Sequence, residues 1–328
     1  MTVIVNYLPV GSLLRFTRAL LRAAVVLAVC CANFALAQDE EDEPKLPDPE
    51  DITLESRDNV VLKATYWEPL EPDKETVPVI LLHGWEGRRQ EYDALGRILQ
   101  QQYNHAVISV DLRGHGGSTV VRRPNANEDL EIDPERMSRD DFLAMVYDVQ
   151  AAKNHLVKKH KEGKLNIELL TVVGADMGAT VALNFAVYDW NKRRVAARIF
   201  KTGQDVRGLV LLSPPRSFKG LTSELALKQP VVRSAVSTMI IVGANDDRAY
   251  RDAKNLHKSL ERFHVKVDRD ATAAEKEEKM DLFLMEPKTT LQGTKLLADA
   301  LKTDQMIAKF IDLRLVKKSD EVPWMERE

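Results

Sequence analysis

The chain has almost no cysteine: two residues in 328, Cys30 and Cys31, side by side near the N-terminus. They lie in a segment, 1–37, that has no acidic side chain, and there Arg15, Arg18 and Arg22 precede an apolar run at 23–37. That run is shorter than the about 20 apolar residues a membrane-spanning helix needs. Basic residues, a short apolar stretch, and small residues at Ala35 and Ala37 read together as a secretory signal peptide cut between Ala37 and Gln38. The alternative is an uncleaved N-terminal anchor. Cleavage removes both cysteines, which excludes disulfides, thiol catalysis and thiolate metal sites from the mature protein. It also removes three arginines and moves the formal charge from −3 to −6. No clustered basic face is evident, so the charge argues against nucleic acid as a partner. Glycine and proline are near average, which argues against a fibrous or broadly disordered chain. No internal repeat is visible. The last scarcity is local: the histidines are His83, His105, His115, His155, His160, His257 and His264, and none lies beyond residue 264.

What is present suits one sizeable core, with 44% hydrophobic and 30% charged residues. Residues 38–50 form an acidic linker, Asp39-Glu40-Glu41-Asp42-Glu43 followed by a proline-spaced stretch to Pro49. Strands are predicted at 52–56 and 60–67, joined by a hairpin turn at Asp58-Asn59. Short continuous apolar runs follow at 77–82, 106–110, 169–173, 209–212, 239–242 and 282–285. Such runs suit strands buried on both faces of a parallel sheet. Helical patterns fill the intervals at 92–102, 140–160, 178–189, 250–262 and 293–310. The alternation predicts a doubly wound, mostly parallel α/β sheet of eight strands over residues 51–314, its crevice at the strands' C-terminal ends. Only some two dozen residues separate Ser213 from Ser237, too few for a separate lid domain. The segment 268–280 reads as an exposed loop or helix tip, and the charged tail 315–328 is expected to fray.

Three short segments, each after a strand, carry the chemistry. They are Leu81-Leu82-His83-Gly84-Trp85, Asp111-Leu112-Arg113-Gly114-His115-Gly116-Gly117-Ser118 and Val173-Gly174-Ala175-Asp176-Met177-Gly178-Ala179. In the third, Gly174 and Gly178 flank a sharp strand-to-helix turn that pushes the central side chain out over the crevice. The following helix aims free N–H groups and its positive end at the same point. In order and spacing the three segments resemble the α/β-hydrolase superfamily, near its lidless esterase, monoacylglycerol-lipase and serine-aminopeptidase branches. The resemblance spans roughly residues 50–313. It implies an oxyanion hole from the backbone N–H groups of Trp85 and Met177, and structural roles for His83 and His115 around the His-Gly turn.

The same resemblance exposes departures. Asp176 stands where most relatives have serine, and an aspartate cannot supply the neutral hydroxyl of serine-type acyl transfer. It can attack as a carboxylate, as in haloalkane dehalogenases and epoxide hydrolases. Those relatives usually follow the aspartate with tryptophan, where this chain has Met177, and epoxide hydrolases tend to have proline at the position of Glu86. The family's catalytic histidine follows the last strand, and Gln292 occupies its place. A glutamine hydrogen-bonds but takes no proton near neutral pH. Asp246 aligns with the acid member. It has two open roles, orienting a base or capping the helix near Tyr250, and Asp247 suits the cap equally. Arg113 reads as a loop-bracing ion pair or an anion contact. A metal site from His83, Asp111, His115 and Asp176 has no ligand-motif spacing, and no cofactor is implied.

The resulting expectation is an exported hydrolase-fold protein with a degenerate triad that binds a small molecule or peptide rather than turning it over. Two other readings stay open. One is an active hydrolase of ester, amide or carbon–halogen bonds using Asp176 as covalent nucleophile. The other is an envelope-associated interaction protein held by its acidic linker.

Overall fold

In the computed structural model, which describes residues 45–192, 201–268 and 270–327, the apolar runs become strands. A hairpin comes first, β1 (Glu50–Glu55) and β2 (Val60–Trp67), paired antiparallel around the expected turn, with Asn59 at φ 64°. Then follow β3 (Pro78–Leu82), α1 (Asp93–Tyr103), β4 (Ala106–Val110), the two-residue strands β5 (Val120–Val121) and β6 (Leu130–Glu131), and α2 (Arg139–Lys161). Next come β7 (Leu170–Ala175), α3 (Met177–Trp190) and β8 (Val206–Leu212). A small cap holds the hairpin β9 (Ser217–Phe218) and β10 (Leu221–Thr222) and the single turns α4 (Glu224–Lys228) and α5 (Pro230–Ser234). The chain continues through β11 (Ser237–Ile241), α6 (Asp247–Leu260), α7 (Ala273–Lys279), β12 (Leu282–Met285) and α8 (Thr303–Arg314).

The main sheet runs β12-β11-β8-β7-β3-β4-β2-β5-β6, with β1 on β2. The pairs from β12 across to β4 are parallel and β2 is antiparallel to β4. All eight expected strands form, and β5 and β6 extend the sheet to ten among the described residues. These two are invisible as apolar runs because they pair over only two residues each and are largely solvent-facing. Strand β3 explains how one apolar run serves two layers. Val79 and Leu81 pack with α1 and α8 on one face, while Ile80 and Leu82 pack with α2 and α3 on the other. Helix α3 is buried around most of its circumference, from Met177 to Ala186, so it holds the elbow rigidly against the sheet.

Two expectations fail. The helical pattern at 293–310 breaks into 3₁₀ turns at Gly293–Leu297 and Asp299–Leu301 before α8, because Gly293 (φ 59°) is left-handed at its start, Ala298 (φ −56°, ψ 134°) is extended and Lys302 (φ 54°) is left-handed. Left-handed residues cannot continue a right-handed helix. The tail beyond residue 315 does not fray up to Arg327. It forms a 3₁₀ turn at Val316–Glu321, His160 Nε2 donates to the Met325 carbonyl (2.7 Å), and Trp324 packs on the His160 ring. Arg327 ends in a buried ion network with Glu168 and Asp205, joined there by Lys201 and Lys153, and Lys153 also pairs with Asp189. Buried charges persist when each finds counter-charges, and here the partners lie far apart in sequence. The signal-peptide and acidic-run expectations fall on residues 1–44, outside the described residues. No helix among the described residues is long and apolar enough to cross a membrane.

Candidate active site

Strand β7 ends at Ala175, and α3 starts at Met177, leaving one residue for the reversal. Asp176 makes it at φ 49°, ψ −116°, a strained conformation held by its N–H bond to the Leu212 carbonyl (2.9 Å) and by Ala179 N–H donating to its own carbonyl (3.0 Å). The flanking glycines are required by contact. A Cβ on Gly174 would lie 2.3 Å from the Gly178 carbonyl oxygen, and one on Gly178 would lie 2.4 Å from those of Leu82 and His83. The elbow therefore locks directly against the end of β3. Gly84 completes the fit, since its Cβ would meet the Asp176 Cβ at 3.1 Å.

The Asp176 carboxylate projects, exposed, into a crevice of about 390 Å³ lined by Trp85, Glu86, Glu91, Gln292 and Lys295. Partial burial raises its pKa above the ordinary carboxylate value. The charges of Asp246 and Glu91 add to the rise, and Lys295 opposes it. Across the crevice mouth Thr294 Oγ1 donates to Glu91 Oε2 (2.6 Å). The N–H groups of Trp85 and Met177 find no acceptor among the described residues.

Gln292 is brought to the crevice but its amide is turned into the protein. Its Nε2 donates to the Gly243 carbonyl (2.9 Å), and its Oε1 accepts from Gly243 N–H (3.2 Å) and from Ser213 Oγ (2.6 Å). Ser213 Oγ in turn accepts from Gly293 N–H (3.0 Å). The pairing needs the bare Cα of Gly243, where a Cβ would sit 2.8 Å from Gln292 Nε2. Asp246 takes the capping role: its Oδ1 accepts from the N–H groups of Arg248 (3.1 Å) and Ala249 (3.0 Å) at the start of α6, with Asp247 as the first helical residue. It reaches Asp176 only through space, as one of the charges raising that carboxyl.

No histidine lines the crevice. His83 is fully buried beneath the turn, with Nδ1 donating to the Gly84 carbonyl (2.6 Å) and Nε2 accepting from Leu112 N–H (3.0 Å). Burial pushes its pKa down to about 4, so both ring nitrogens are committed and neutral at pH 7. His115 Nδ1 bonds the Arg113 carbonyl (3.0 Å). His264 pairs with Asp281 (2.8 Å) just ahead of β12, at the end of the sheet where the parallel strands begin, whereas the elbow lies where β7 ends. Arg113 is an ion-pair brace, holding Asp148 and Asp58 at 2.6 Å each. Asp111 is taken by Arg89 (2.6 Å) and Gly117 N–H (3.0 Å), so it does not join His83, His115 and Asp176. Among the described residues no group of three or more acidic, histidine or cysteine side chains is arranged for a metal ion.

The alpha/beta hydrolase family model matches residues 79–323, three quarters of the chain. The chain belongs to the alpha/beta hydrolase family. Solved structures agree on its fold. An esterase of Pyrococcus furiosus superposes with a TM-score of 0.53 at 14% identity, over 82% of this chain and 93% of that one. A fungal esterase of Rhizomucor miehei gives 0.57 at 17% identity, over 84% and 87%. An acylaminoacyl peptidase of Pyrococcus horikoshii gives 0.56 at 13% identity, over 84% of this chain and 43% of that one. No curated protein matches the sequence. Within this family member, sequence reasoning reached the elbow, the His-Gly turn and the position of Gln292. It missed Ser213, Gly243, Glu91 and Lys295 as neighbours of the site. Ser213 and Gly243 follow the ends of β8 and β11, Lys295 sits in the 3₁₀ turn at Gly293–Leu297 and Glu91 in the turn after the His-Gly loop, and they meet only in space. No motif spacing marks any of them.

Proposed function

We propose that this α/β-hydrolase-family chain is an exported, non-catalytic or strongly impaired member that binds a small molecule or peptide in the crevice above Asp176. One observation carries the reading: the side chain at the base position, Gln292, is bound on both amide atoms to Gly243 and Ser213, and no imidazole lines the crevice. Serine-type turnover needs a general base at the nucleophile, and hydrolysis of an aspartyl ester needs one to activate water. The N–H groups of Trp85 and Met177, which have no acceptor among the described residues, and the nearby carboxylate of Asp176 support binding of a polar ligand. Export rests on the basic, apolar and small-residue order of 1–37.

The test is a substrate panel of esters, amides, haloalkanes and epoxides with the purified mature protein. The expected result is no turnover above background and no adduct on Asp176 by intact mass. Robust turnover abolished by Asp176→Asn, or a trapped ester on Asp176, overturns the reading and favours the covalent-nucleophile alternative. N-terminal sequencing of the cell-envelope or secreted fraction is expected to begin at Gln38. A start at Met1 in the membrane fraction overturns export by cleavage.

A further inference from the structure

Beside the crevice the chain gathers three aromatic rings from separate elements: Trp85 from the His-Gly loop, Phe142 from the first turn of α2 and Phe218 from β9. The rings meet pairwise, with centroids 5.7 Å apart for Trp85 and Phe142, 5.5 Å for Trp85 and Phe218, and 5.8 Å for Phe142 and Phe218. An ammonium already sits on them. Lys219 Nζ lies 3.7 Å from the Trp85 centroid, 5.0 Å from Phe142 and 5.9 Å from Phe218. Aromatic faces are electron-rich and attract a cation within about 6 Å. Lys219 makes no ion pair among the described residues, and its side chain is exposed, so only the rings and solvent hold the charge.

The turn that delivers the ammonium is costly for lysine. Lys219 (φ 43°) and Gly220 (φ 101°) form the two-residue connection of the β9–β10 hairpin. A turn with both central residues at positive φ favours Asn-Gly or Gly-Gly. A side chain other than those at the first position marks a constraint beyond the turn itself. The hairpin is anchored by Asn184 Nδ2, which donates to the Thr222 carbonyl (3.1 Å). Trp85 also borders the crevice, where Glu86, Glu91 and Asp176 face Lys295, so the neighbouring charge balance favours cations.

We propose that the part-exposed rings of Trp85 and Phe218, backed by the buried ring of Phe142, form a binding cage for a quaternary ammonium group, a place now taken by Lys219. A primary ammonium is strongly hydrated and has three N–H donors that rings satisfy poorly. A quaternary head has no donors and less hydration to lose, and it is the cation that aromatic cages recognise best. Its entry returns the Lys219 ammonium to water, so the exchange is open energetically. This proposal rests on the crevice as a binding site only through Trp85, which serves both.

The experiment titrates tetramethylammonium and choline into the mature protein and into Lys219→Ala. It follows calorimetry and tryptophan fluorescence, with 3,3-dimethylbutan-1-ol as the uncharged match to choline. Lys219→Ala is expected to bind choline roughly tenfold more tightly than the unsubstituted protein, and roughly tenfold more tightly than the neutral alcohol. Lys219→Met, which keeps a plug without its charge, gains nothing, and adding Trp85→Leu to Lys219→Ala abolishes binding. Equal affinity for the neutral alcohol, or no choline binding by Lys219→Ala with native circular dichroism, overturns the cage. If Lys219→Ala does not fold, NMR of the unsubstituted protein decides. The Lys219 methylene signals, shifted by the rings, must move toward solvent values as tetramethylammonium saturates, and unmoved signals overturn the proposal. Failure here leaves the non-catalytic reading standing. Turnover dependent on Asp176 defeats that reading and leaves the cage untouched.

Discussion

At Asp176 a carboxyl group occupies a place that disfavours its charge. Partial burial in the crevice and the negative charges of Asp246 and Glu91 raise its pKa, against Lys295. A carboxyl with a raised folded-state pKa stabilises the fold below its ordinary titration range and loses that contribution as pH rises through the folded value. Ionised Asp176 is therefore a burden at neutral pH. Asp176→Asn keeps the shape and removes the charge, so it is expected to raise Tm at pH 7, with the gain shrinking toward zero near pH 4. Thermal scans of both proteins across that range check it, and a gain independent of pH would assign the effect to packing instead. The identity of residue 176 and the glycines around it were legible in the sequence, because the steric demand of a one-residue reversal is local. The commitment of Gln292 was not, because its partners Ser213 and Gly243 follow β8 and β11 and meet it only when those strands align.

Strands and helices were mostly legible because their signals are repetitive. An unbroken apolar run of five or six residues between charged helices specifies a strand covered on both faces. The helix predicted at 293–310 misled because its apolar spacing is real, yet Gly293 serves the elbow. A Cβ there would lie 2.6 Å from Asp176 Oδ2. The elements also differ in how tightly they need glycine. Gly174→Ala is expected to cost about 1–3 kcal/mol or more, as overpacking does, since its Cβ would strike the Gly178 carbonyl at 2.3 Å. Gly163→Ala, at φ 75° but with only the Lys74 side chain 3.7 Å away, carries the cost of its backbone conformation alone, about 1 kcal/mol. Urea denaturation of the two variants separates steric demand from conformational demand. Equal losses would show that the elbow relaxes around a methyl group.

Over the whole molecule, the described residues are tied at the end of the strands opposite the crevice by charge rather than by apolar packing alone. Burial by itself would raise the Asp205 carboxyl, but Lys153, then Lys201 and Arg327, outweigh it and hold the pKa well below the usual range. Arg327 brings the last cation from a segment whose charged composition predicts fraying. Removing one partner of a buried pair costs about 3–5 kcal/mol when the rest stays dry. Two lysines remain beside these carboxylates, so Arg327→Ala is expected at the lower end, about 3 kcal/mol, in the urea midpoint. A loss within the few tenths typical of exposed pairs would mean the segment is not docked in solution.

The sequence by itself determined the α/β class, the strand order along the chain, the elbow and the occupants of its key positions. These depend on periodicity and on neighbours a few residues apart. Tertiary structure alone decided that Gln292 pairs with a peptide group, that Asp246 caps a helix, and that a lysine closes an aromatic triad. It also decided that the tail completes a buried ion network. Each of these depends on side chains tens to hundreds of residues apart, and their distance and direction are fixed only when the sheet and its two helical layers pack.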